Sequence, residues 1–103
     1  MKNTFEIRLT RNAEKDLIAL KDLINEALDE LTVLKDDPYK GHALKGSIYG
    51  VRSLEFSMKG TAYRAAYILL EDEKICLVFV IGSHEGFYSK VERRAKGLKK
   101  KFK

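Results

Sequence analysis

Apolar and polar residues alternate along Phe5-Glu6-Ile7-Arg8-Leu9-Thr10, the period of a strand with one buried face. From Ala13 the period changes. Leu17, Leu20, Ile24, Leu28 and Leu31 recur at helical spacing, and the pattern continues to Leu34. Thr10 or Asn12 can cap this region. It reads either as one long helix or as two joined by a tight turn near Lys21-Asp22, with Asp22 as the second cap. Asp36-Asp37-Pro38 ends it, because proline disfavours the helical conformation in the residue before it.

A polar, glycine-punctuated segment runs from Tyr39 to Gly50, followed by three predicted strands: Val51 to Ser57, Thr61 to Leu70 and Ile75 to Ile81. Met58-Lys59-Gly60 and Glu71-Asp72-Glu73-Lys74 are short enough for hairpin turns, so these strands form an antiparallel meander. From Phe87, the positions Val91, Ala95, Leu98 and Phe102 mark one stripe of a last helix. Ser89 and Glu92 have capping-box spacing, which starts that helix at Ser89. The order predicts an α+β fold: an antiparallel sheet packed against an N-terminal helical region, with a C-terminal helix.

Length and composition narrow the class. A chain of 103 residues with 45% hydrophobic and 34% charged residues is expected to be one globular domain, 1–103. No apolar run approaches the ~18 residues of a membrane span. Met1-Lys2-Asn3 leads straight into a strand without a signal-peptide core, and a single cysteine, Cys76, lies in an apolar strand. A reducing cytoplasm is the expected compartment. The net charge of +5 points to a polyanion or an acidic partner. Acids gather in the helical region, at Glu14, Asp16, Asp22, Glu26, Asp29, Glu30, Asp36 and Asp37. Bases gather at the end, at Lys90, Arg93, Arg94, Lys96, Lys99, Lys100, Lys101 and Lys103.

The chain has two histidines, each in a glycine-flanked segment: Gly41-His42-Ala43-Leu44-Lys45-Gly46 and Gly82-Ser83-His84-Glu85-Gly86. A turn centred on Lys59-Gly60 places Glu55 opposite Arg64, flanked by Leu54–Ala65 and Phe56–Tyr63. Opposed side chains share a face, so Glu55 and Arg64 meet on one side of the sheet. A one-residue slip would destroy this arrangement. Taken alone, the pair is a surface ion pair of ~0.2–1 kcal/mol. With the histidines it becomes a kit for cleaving RNA through its own 2′-hydroxyl, which needs a base, cations at the phosphorus and an acid at the leaving oxygen. Glu55 or His42 can be the base, Arg64 and Lys45 the charge stabilisers, and His84 the acid.

Other chemistries fit poorly. The histidines lack metal-site spacing, no serine sits in an elbow sequence, and Gly41, Gly46 and Gly50 do not form a phosphate-cradling loop. No metal or cofactor is expected. Tyr39, Tyr49, Tyr63, Phe87 and Tyr88 include candidate base-stacking residues, whereas Tyr67 reads as core.

These residues carry a resemblance. FEIRLTRNAEKDLIAL resembles the first strand and helix of the RelE/ParE superfamily of bacterial toxin–antitoxin toxins. HALKGSIYGVRSLEF followed by AYRAAYILLEDEKICLVFVIGSHEGFY resembles its Leu-Lys-Gly, strand, Tyr-Arg, strand, Gly-x-(Arg/His)…Tyr pattern. The histidine-rich YafQ-type members are similar at His42-Ala43-Leu44-Lys45-Gly46 and at Gly82-Ser83-His84. They carry a strand histidine where this chain has Glu55, and their neighbouring aspartate has no counterpart near Thr61-Ala62. RelE-type members are similar at Arg64 and Tyr88.

The resemblance implies a compact microbial RNase-like fold and a metal-independent endonuclease acting on mRNA in the ribosomal A site. It implies catalytic roles for His42, Glu55, Arg64, His84 and Tyr88, with RNA contacts expected at Lys45, Arg52, Lys59, Lys90 and Arg93. It also implies a cognate antitoxin bound in a hetero-oligomer, for which the Phe87–Lys103 stripe, taken as exposed, is the expected contact. A ParE-like inhibitor of DNA gyrase without nuclease chemistry is the alternative, and an inactive member that sequesters an antitoxin or RNA is a third reading.

Overall fold

The computed structural model describes residues 4–101. Met1, Lys2, Asn3, Phe102 and Lys103 lie outside that range, as do the side chains of Lys99, Lys100 and Lys101. Strand β1 (Glu6–Leu9) leads into α1 (Arg11–Ile18), a 3-10 turn at Lys21–Leu23, α2 (Ile24–Thr32) and a second 3-10 turn at Val33–Lys35. A short β2 (His42–Ala43) and a 3-10 turn at Gly46–Ile48 precede β3 (Arg52–Met58), β4 (Thr61–Leu70), β5 (Ile75–Ser83) and α3 (Phe87–Lys101).

Local chemistry explains the boundaries. Thr10 Oγ1 accepts the Ala13 amide at 3.1 Å, so Thr10 is the cap of α1. Lys21 turns the chain into the left-handed region (φ 57°), which splits the helical region in two. The cap expected at Asp22 does not form; α2 starts after Leu23 without a side-chain cap. Lys59 (φ 51°) and Gly60 (φ 76°) both have positive φ between the paired Met58 and Thr61, the signature of a type I′ hairpin. Gly86 (φ 68°) turns the chain straight into α3, which begins at Phe87 and not at Ser89. Ser89 is therefore already inside the helix and no capping box forms there; Glu92 instead accepts the Ser47 hydroxyl at 2.7 Å.

The sheet has five strands in the order β1-β5-β4-β3-β2. β3, β4 and β5 form the expected meander, and β2 adds antiparallel to β3. β1 runs parallel to β5, so the sheet is mixed. Alternation sends Leu54, Phe56, Met58, Ala65, Tyr67, Val78 and Ile81 to one face, against Ala13, Leu17, Ala27, Leu31 and Leu34 of the N-terminal region. The opposite face packs Val51, Ala66, Phe79 and Val80 against Phe87, Val91 and Ala95 of α3. The apolar part of the stripe expected to be exposed on α3 is instead buried over Phe87, Val91 and Ala95, because it supplies the second core: Phe87 is 1% and Val91 0% accessible. Phe102 and Lys103 of that stripe lie outside the described residues. Burying one such side chain is worth ~1.5–3 kcal/mol.

A polar clip joins the layers. The β4–β5 register shifts between Ala66 and Tyr67, leaving Phe79 as an extra residue on β5. Pairing with β1 ends at Leu9–Val78. Just past that point, Asp16 of α1 accepts the Ile81 amide at 3.0 Å and Arg94 of α3 donates to the Phe79 carbonyl at 3.0 Å. The two side chains pair with each other at 2.6 and 3.3 Å. Their helices lie on opposite faces, so the pair reaches around the uncovered edge of β5. Among the described residues no helix is long and apolar enough to cross a membrane.

Candidate active site

The β3–β4 register pairs Glu55 with Arg64, flanked by Leu54–Ala65 and Phe56–Tyr63, as the turn arithmetic predicts. Arg64 Nε donates to Glu55 Oε2 at 2.9 Å, and Nη2 lies 2.8 Å from the same oxygen in an ion pair. Tyr88, in the first turn of α3, lays its ring against the guanidinium, with Cζ 5.3 Å from the centroid. The adjacent Phe87 is buried in the second core and meets the Tyr88 ring edge-on at 5.4 Å. Core packing thus carries Tyr88 to Arg64. The arginine side chain is 16% accessible and the glutamate 49%. Arg64 Nη1 is buried and, among the described residues, has no hydrogen-bond partner.

A cavity of about 210 Å³ adjoins the pair, lined by Glu55, Phe56, Ser57, Ala62, Tyr63 and Arg64. Gly82 of β5 is the register partner of Arg64. β5 ends at Ser83, and His84, the next residue, is exposed in the bend that leads to α3.

His42 shares the Glu55 face through its partner Ser53, two residues from Glu55. The two histidines nevertheless flank the pair from opposite sides. From His42 on β2 to Gly82 on β5 is three strands across and two residues along, about 16 Å. The structure brings Glu55, Arg64 and Tyr88 together, places His84 one residue past the end of β5, and sets His42 on β2 opposite Ser53, at the margin of the sheet.

That margin is built with care. The Tyr67 hydroxyl donates to the Pro38 carbonyl at 2.7 Å and accepts the Gly41 amide at 3.0 Å. Burial raises the Tyr67 pKa, which keeps the donor protonated. Arg52 donates to the Gly41 carbonyl at 2.6 and 3.0 Å and to the Tyr39 carbonyl at 2.9 Å, with its guanidinium against the Tyr39 ring. A Cβ on Gly41 would lie 2.6 Å from the Ser53 carbonyl oxygen, so only glycine fits. Arg52, expected to contact RNA, is the clamp that holds this loop. Its register partner is the core residue Tyr67, which places it on the sheet face opposite Glu55.

Of the other expected cations, Lys45, Lys59 and Arg93 are exposed and Lys90 is half-buried. Lys59 tips the β3–β4 hairpin, while Lys90 and Arg93 follow Tyr88 on α3. Burial pushes the Cys76 thiol up to about 12, which leaves no thiolate nucleophile near neutral pH. Sequence reasoning missed the Asp16–Arg94 clip. The two residues are 78 positions apart, and only the charge of each was visible.

Chemically, the grouping offers a carboxylate able to take a proton, a guanidinium able to hold an oxyanion, and an exposed imidazole and phenol able to return a proton. No curated protein sequence matches the chain. Among solved structures, it is similar to the free-state RelE toxin of E. coli, in a double-mutant form, with TM-score 0.70 and 19% identity over 88% of this chain and 97% of that one. It is also similar to a chain of the RelBE2 toxin–antitoxin complex of Mycobacterium tuberculosis, with TM-score 0.64 and 24% identity over 79% and 99%. The archaeal RelE–RelB complex of Pyrococcus horikoshii gives TM-score 0.51 and 16% identity over 80% and 97%. At these identities the likenesses establish the fold. Residues 7–92 match the family described as the ParE-like toxin of type II bacterial toxin–antitoxin systems, and the chain therefore belongs to that family.

Proposed function

We propose that this toxin, acting as a single domain over residues 1–103, is an endoribonuclease that cuts mRNA in the ribosomal A site through the RNA 2′-hydroxyl. The observation that carries the reading is the convergence of Glu55, Arg64 and Tyr88 on one exposed face, with His84 beginning two residues past the register partner of Arg64. Glu55 takes the 2′-hydroxyl proton and O2′ attacks the phosphorus. Arg64 holds the charge that develops on the phosphoryl oxygens. The bond to the 5′-oxygen breaks as His84, with Tyr88 beside it, supplies a proton, leaving a 2′,3′-cyclic phosphate and a 5′-hydroxyl. No step calls on a metal ion. His42 and Lys45 hold the neighbouring nucleotide, a role supported by the place of His42 on β2, three strands from Gly82 in the sheet. Lys59, Lys90 and Arg93 bind phosphates along the strand, so activity falls as salt rises.

The structures similar to this chain include RelE toxins bound to RelB antitoxins. By that likeness, a cognate antitoxin with an acidic segment covers the basic side of α3 and forms a hetero-oligomer with the toxin. The apolar side of α3 is already taken by the sheet.

Purified toxin added to translating ribosomes should cut mRNA and leave cyclic phosphate ends. His84→Ala should lower cutting by about 10²–10⁴-fold while the chain stays folded. Full activity in that variant removes the proposed acid.

The matching family is described as ParE-like, which favours a second reading: inhibition of DNA gyrase without cleavage. Inhibition of supercoiling by the pure protein, with translation intact, would select it.

A further inference from the structure

The Glu55–Arg64 pair has a feature that a plain surface ion pair does not need. Both donors on one edge of the guanidinium, Nε and Nη2, converge on a single carboxylate oxygen at 2.9 and 2.8 Å. That edge is the one an arginine offers to a phosphate. Around it the cation is fixed. Tyr88 covers its face, Nη1 is buried without a partner among the described residues, and the side chain is 16% accessible. The anion is not fixed. The Glu55 side chain is 49% accessible, lines the adjoining cavity of about 210 Å³, and has no other bond among the described side-chain contacts.

We propose that this edge of Arg64 is an oxyanion subsite, and that Glu55 occupies it in the free protein as an internal stand-in for phosphate. A phosphodiester entering the cavity competes with Glu55 for Nε and Nη2. Its arrival releases Oε2 from Arg64, so that the whole carboxylate, and not Oε1 alone, is free to turn toward the 2′-hydroxyl proton. The base is thereby masked until a phosphate is in place. This inference rests on the nuclease reading given above for its substrate, but its binding half is independent of cleavage.

The test uses inorganic phosphate and the whole chain, following the Arg64 Nε–H and Tyr88 ring signals by NMR. In the unmodified protein, phosphate should shift both signals. Glu55→Gln should bind phosphate roughly tenfold tighter, because a charged competitor has become a neutral one. Arg64→Ala should abolish the response at Tyr88. Unchanged affinity in Glu55→Gln, with binding still lost in Arg64→Ala, overturns the competition and leaves Arg64 as the phosphate ligand. Phosphate that never perturbs Arg64 in either protein overturns the subsite itself. Cleavage that persists in that case would show the nuclease reading surviving without it. Should Glu55→Gln misfold, the same competition is read in the unmodified chain as loss of the Glu55-to-Arg64 contact during titration. Persistence of that contact at saturating phosphate counts against the proposal.

Discussion

Two carboxylate–arginine pairs in this protein differ in who else is present. Asp16 and Arg94 are 12% and 18% accessible, and the pair also satisfies the Ile81 amide and the Phe79 carbonyl. Glu55 and Arg64 share one oxygen, leave Nη1 unmet among the described residues, and expose half of the carboxylate. The first pair closes a sheet edge and has no spare capacity. The second is a site with its natural ligand position filled from within. Charge and distance are alike in both; accessory hydrogen bonds separate structure from chemistry.

The comparison breaks most sharply at the clip. Asp16→Asn should destabilise the fold by about 3 kcal/mol, because it leaves Arg94 enclosed without a counter-charge. In a domain of this size that lowers the melting temperature by on the order of 15 °C, readable by thermal denaturation. A shift of only a few degrees would mean that the two pairs do not differ in kind.

Gly41→Ala comes next. Its Cβ would sit 2.6 Å from the Ser53 carbonyl oxygen and 2.8 Å from the Tyr67 hydroxyl, so β2 must move away from β3. A loss of about 2 kcal/mol is expected in denaturant unfolding, with hydrogen exchange at the Leu44 amide, bonded to the Val51 carbonyl, speeding up. Stability equal to the unmodified chain would argue that the clamp is loose.

What the sequence made legible follows the same division between local and distant causes. The Glu55–Arg64 pairing was readable because nine residues and a two-residue turn determine it. The caps at Asp22 and Ser89 were read from spacing, but Lys21, Gly86 and Ser47 had other claims on those helix ends. The stripe on α3 looked free because nothing local reveals that Phe79, extruded at a bulge, and Val80 complete a second core. His42 looked equivalent to His84, yet its place depends on Arg52 and Tyr67 gripping Gly41 from strands read only as sheet. The Asp16–Arg94 clip needed the whole topology before either residue had a partner.

Lys59 tests the functional side at lower energy. It holds φ 51° at the hairpin tip, where Asn or Gly is the usual occupant. Lys59→Asn should stabilise the chain by about 0.5–1 kcal/mol. The same change should weaken RNA binding and reduce its salt slope by about one. Stabilisation without any change in salt slope would remove Lys59 from the RNA path.

The smallest stability change belongs to Glu55→Gln, the counterpart of Asp16→Asn in chemistry. Glutamine keeps an oxygen for Arg64, the guanidinium keeps the Tyr88 ring, and water reaches a position that is half exposed already. With screening at such a site, the loss should be no more than about 0.5–1 kcal/mol. Cleavage in the same variant should fall by about 10²–10⁴-fold if the carboxylate is the base. A large activity loss with near-native melting is what a loaded site gives. A melting loss matching that of Asp16→Asn would instead make Glu55–Arg64 a second clip, and the face it occupies would lose its claim to chemistry.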